Sequence, residues 1–102
     1  MNTRYTNEQL THIRNQALIY QCACPAHVTA VIDAIRALHE QQQNCLNESD
    51  TDHAVHARIK QSTQKTHVEL EDCLTDILKL EGWDMQTLQM PEYLKKRLLD
   101  SI

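Results

Sequence analysis

The sequence predicts an all-α fold: a small antiparallel bundle of three main helices plus a short C-terminal helix, in one domain spanning residues 1–102. Three observations predict it. The chain has one Gly (Gly82) and two Pro (Pro25 and Pro91), too few turn-formers for hairpins and a multi-stranded sheet. Its apolar residues recur at steps of three and four. Helix start and stop signals separate the resulting segments. At 41% hydrophobic and 24% charged, the composition suits a folded chain and is too apolar for a disordered one.

The first helix opens on Thr6-Asn7-Glu8-Gln9, a capping box in which the Thr6 hydroxyl and the Gln9 side chain each satisfy a backbone N–H. Leu10, Ile13 and Ala17 follow at helical spacing. Ala17-Leu18-Ile19-Tyr20 is apolar on more than one side, which predicts that this end touches two neighbours.

Pro25 disfavours the α conformation at Cys24 and suits the first position of a new helix, so Cys24 is the expected N-cap of the second helix. Val28, Val31, Ile32, Ile35, Leu38, Gln42 and Cys45 form its predicted inner stripe, with Asp33, Arg36 and Glu40 opposite. The polar run Asn47 to Asp52 supplies N-cap residues and acids for the start of a third helix.

That helix is long and runs to a stop at Gly82. Its predicted stripe is Val55, Ile59, Ser62, Thr66, Leu70, Cys73, Ile77 and Leu80, with an unusually polar middle from Lys60 to His67. Either the packing at Ser62 and Thr66 is close to the backbone or that stretch lines something wet. Trp83 is placed to fold back on the last turn, and Pro91 opens a short helix with Tyr93, Leu94, Leu98 and Ile102 on one side and Lys95-Lys96-Arg97 on the other.

The candidate site is a thiol cluster. If the connection between the second and third helices is centred between Asn47 and Glu48, a rise of about 1.5 Å per residue sets Cys22 level with Cys73 and His27 beside His67. The turn at Cys24 keeps that residue at the same end. Cys22, Cys24 and Cys73 with His27 or His67 have the donor types of a Cys3His site, which would hold zinc or another thiolate-binding metal. The spacing lacks paired C-x2-C knuckles, and a thiol-redox role or simple burial of the Cys side chains are the competing readings.

A thiolate at Cys24 would gain from the helix dipole, and a reversible bridge between Cys24 or Cys22 and Cys73 would clamp the corner between the first two helices to the third. A second grouping pairs His39 with His56 and Cys45 with Asp50 and His53.

Charge and motifs narrow the function. A net charge of −4 with neutral His argues against nucleic acid or an anionic membrane as the main partner. Met1 to Glu8 lacks a signal-peptide core and no apolar run approaches a membrane span, so the expected address is cytoplasmic. There is no Gly-rich phosphate loop, Gly-x-Ser-x-Gly or His-Glu-x-x-His, which leans against an enzyme. With no Phe and one Trp the core is built from small aliphatics, which leaves a homodimer open. The sequence therefore reads as a helical accessory or interaction protein acting through a protein partner or self-association, with the metal or redox protein as its rival.

Overall fold

The computed structural model describes residues 1–19, 23–44 and 48–94, and these form three helices with no strand among them: α1 (Asn7–Ile19), α2 (Ala23–Asn44) and α3 (Asp50–Glu81). A short helix begins near the C-terminus, at 92; residues beyond 94 lie outside the described ones, as do Tyr20, Gln21, Cys22, Cys45, Leu46 and Asn47.

The predicted caps of α1 and α3 form. The Thr6 hydroxyl accepts from Gln9 N at 3.0 Å and Gln9 Oε1 accepts from Thr6 N at 2.8 Å, closing the capping box. Ser49 caps α3 by accepting from Asp52 N. At the far end Gly82 adopts φ 85, and Trp83 N donates to Leu78 O at 3.0 Å. That turn buries the indole against α3, as its position after the stop predicts. α2 begins at Ala23, one residue before the expected cap, so Cys24 sits inside the first turn.

α1 packs on α2, and α2 packs on α3. Leu10, Ile13 and Ala17 of α1 meet Ala26 and Ile32 of α2 and Leu74 and Leu78 of α3 in the core. The segment after α3 closes this core from the other side with Trp83, Leu88, Met90 and Leu94. His12 Nε2 donates to Leu88 O at 3.0 Å, and Gln16 Oε1 accepts from Met90 N at 3.2 Å, so α1 and this segment hold each other. The turn within this segment is organised by Asp84, whose carboxylate accepts from Thr87 N and Gln86 N and is held below the usual carboxylate pKa by those two bonds.

Several predicted faces are displaced. Leu18 and Ile19 are exposed, so the end of α1 does not lie between two neighbours. On α2 the buried residues are Pro25, Ala26, Thr29, Ile32, His39 and Gln42, while Val31 and Leu38 are exposed and Arg36 turns inward. On α3 they are Thr63, His67, Glu71, Leu74 and Leu78, one residue C-terminal to the predicted stripe. A step of one residue is about 100° on a helix. The displacement arises because three of the five inward side chains are polar, and apolar periodicity cannot register them.

The packing register also differs. His39 stands beside Thr63 and Arg36 beside His67, whereas a connection centred on Asn47 and Glu48 would set His39 opposite His56. The seven-residue difference is roughly 10 Å along the helix.

Candidate interaction face

Two features distinguish the α2–α3 pair: a buried polar spine on the side covered by α1, and an apolar face on the opposite side. The spine is built around Glu71, Arg36 and His67. Glu71 Oε2 accepts from Arg4 N at 2.7 Å, from Tyr5 N at 3.1 Å and from Arg36 Nη2 at 3.2 Å. Arg36 also donates from Nη2 to Tyr5 O at 2.7 Å and from Nη1 to Asn7 Oδ1 at 2.6 Å. One buried carboxylate and one guanidinium thus tie the chain ahead of α1 to both long helices.

The bonds determine the state of His67. Arg36 Nε can only donate, and it does so to His67 Nε2 at 3.0 Å, so Nε2 carries a lone pair and the proton of the neutral ring is on Nδ1. Nδ1 lies 3.4 Å from Glu71 Oε1, within ion-pair reach but outside hydrogen-bond geometry, and is the one buried unpaired side-chain nitrogen among the described residues. Burial, the largest influence, lowers the His67 pKa; the Glu71 carboxylate opposes this and the Arg36 guanidinium reinforces it.

Further along, the Thr63 hydroxyl donates its proton to Lys60 O, so it must accept from His39 Nδ1, at 2.9 Å. The polar middle of α3 is therefore an inward-facing bonding surface for α2. Ser62 and Thr66, the residues expected inside, lie off it, with the Thr66 hydroxyl donating to Ser62 O on its own helix.

The predicted thiol and imidazole cluster falls as follows. Cys24 is exposed on α2, Cys73 is half-buried on α3, and both thiols are free. In the observed register Cys73 is level with about Thr29 and Ala30, so Cys24 lies roughly 8 Å further along. His27 is exposed on α2. His67 is buried, and its Nε2 lone pair is taken by Arg36. It points inward, about 120° around α3 from Cys73. Cys22 and Cys45 lie outside the described residues. Among the described residues no three His, Cys, Asp or Glu side chains converge as a metal site requires.

The apolar stripe predicted for α3 is present, but it faces away from α1. At 3.6 residues per turn, Val55, Ile59, Leu70, Cys73, Ile77 and Leu80 share one side of α3, and Val28, Val31, Ile35 and Leu38 share the matching side of the antiparallel α2. Val31 is 48% exposed, Leu38 42%, Val55 49% and Leu80 84%, while Val28, Leu70 and Ile77 pack partly against the core. This face is wide because α2 and α3 have only α1 as a third helical neighbour among the described residues. A shallow groove along its end is lined by Thr51, Ala54, Val55, Arg58 and Ile59. No described helix is long and apolar enough to cross a membrane. Compared with known proteins, the chain matches no family model, no curated protein and no solved structure.

Proposed function

We propose that the chain is a helical accessory protein that acts by binding protein, itself included, through the α2–α3 face opposite α1. The observation that carries this reading is the alignment of Val31, Leu38, Val55 and Leu80, all exposed, along one side of two adjacent helices. Single exposed apolar residues are ordinary, whereas a contiguous patch on a two-helix surface marks a binding surface. The spine supports the same reading, since apart from His67 Nδ1 it pairs the polar side chains of Arg36, His39, Thr63 and Glu71 on the inner side of α2 and α3.

The test is substitution on the face. Leu38→Glu with Val55→Glu changes residues already in contact with solvent, so the fold, read by circular dichroism, stays intact. Association, read by sedimentation and by crosslinking in cells, is lost. Val68→Glu, on an exposed residue pointing away from this face, leaves it unchanged. Absence of any association, or equal association in all three proteins, overturns the reading.

A further inference from the structure

We infer that the occupant of this face is a second copy of the chain, stacked antiparallel so that α3 lies on α3 and α2 on α2 about a two-fold axis at the level of Ile35 and His67. The inference rests on the interaction reading above and adds the partner and the register. What carries it is charge order along the outer edge of α3. Arg58, Lys65, Glu69 and Asp76 are all exposed, and at 3.6 residues per turn they lie on one edge beside the apolar stripe. Their order is basic, basic, acidic, acidic. A parallel partner would set like charges together. An antiparallel partner sets Arg58 of one copy against Asp76 of the other and Lys65 against Glu69, both pairs in the same register and each formed twice. The ion pairs that Arg residues make among the described residues run instead between Arg4 and Asp72, Arg14 and Asp33, and Arg36 and Glu71, none of them on this edge.

The apolar residues reproduce that register without adjustment beyond about 3 Å. On α3, Val55 comes opposite Leu80, Ile59 opposite Ile77, and Ser62 opposite Cys73. The observed alignments of Arg36 with His67 and of His39 with Thr63 transfer the same axis to α2 between Ile35 and Arg36, which brings Ile35 beside its own copy and Val31 within about 3 Å of the level of Leu38. Two helices with independent sequences thus specify one two-fold axis. The footprint, about 38 Å along α3 and roughly two helices wide, covers about 700 Å² per copy, close to what a stable dimer buries.

Two measurements on the full chain test this. In sedimentation, Arg58→Glu alone weakens the dimer about tenfold, because each of two contacts becomes like-charged, and Asp76→Arg alone does the same. Combining them in one chain restores the original affinity. Independently, Ser62→Cys, with Cys22, Cys24 and Cys45 changed to Ser, yields a disulfide-linked dimer through Cys73 under mild oxidation, while Gln64→Cys in that background does not. Association that is lost in Leu38→Glu with Val55→Glu yet indifferent to the charge reversals, with no crosslink in the Ser62→Cys variant, overturns this register and leaves the interaction reading standing. Association with other proteins only, through the same face, overturns the second copy as occupant. A chain that is monomeric at every concentration and binds nothing overturns both.

Discussion

Glu71 and His67 show how much one buried polar residue can organise. The Glu71 carboxylate is 5% exposed and its Arg36 partner 14%, so the pair is desolvated, and its stability depends on the backbone N–H groups of Arg4 and Tyr5 that complete the site. Glu71→Gln leaves Arg36 buried without its countercharge and should cost about 3 kcal/mol in urea unfolding. His67 introduces a pH dependence of definite sign. Burial holds its pKa below the ordinary 6.5, with Arg36, the amino terminus and His39 acting in the same direction and Glu71 against it. The unfolded chain therefore binds this proton first. Stability from this site is complete above pH 6.5 and falls as the pH drops below it, until the folded protein takes up the proton too. His67→Gln, whose side-chain oxygen can accept the Arg36 Nε–H, should flatten that fall between about pH 7 and pH 5. An unchanged slope would show that His67 is not its source.

At the level of the element, the ends of α3 are held by residues with separable effects. Gly82 occupies the left-handed region at φ 85, and a Cβ there would meet Tyr93 Cε1 at 3.8 Å, an ordinary contact. Gly82→Ala therefore costs backbone strain and not a clash, about 1 kcal/mol in thermal unfolding. Ser49→Ala removes the acceptor for Asp52 N and should cost about 1 kcal/mol as well. The two sites lie at opposite ends of a 32-residue helix, so their effects should add. Leu88, at φ 58, adopts the same left-handed region without being glycine, and its burial beside Trp83 and Met90 offsets that strain.

At the level of the molecule, the shape is extended. The described chain measures 59 × 22 × 17 Å with a radius of gyration of 17.0 Å, against about 13 Å expected for a compact chain of this length. The excess comes from α2 and α3, which run past the region that α1 and the segment after Gly82 cover. Shape then discriminates among modes of association. Stacking through the α2–α3 face doubles the mass in small-angle scattering but raises the radius of gyration only to about 19 Å, whereas end-to-end association would raise it above about 30 Å. A thiol-labelling experiment reports on the same face. Cys73, half-buried on the face, should label more slowly as the dimer fills.

Length, cap chemistry and the three-four spacing sufficed to determine an all-α chain of three main helices, the capping box at Thr6 and Gln9, the Ser49 region as the start of α3, and its stop at Gly82. Those signals are local, since each is satisfied by backbone groups within one turn of the residue that carries it. The apolar stripes were legible too, but not which neighbour they faced. Val55 and Leu80 read as inward yet are exposed, because periodicity reports an apolar side and cannot say whether protein or solvent lies beyond it. Only the tertiary structure decided that Arg36, His39, Thr63, His67 and Glu71 face inward, because a polar residue is buried where a specific partner satisfies it, and those partners are 24 to 35 residues away along the chain. Register followed from the same contacts: counting from a loop centred between Asn47 and Glu48 sets His39 opposite His56, whereas its ring meets Thr63.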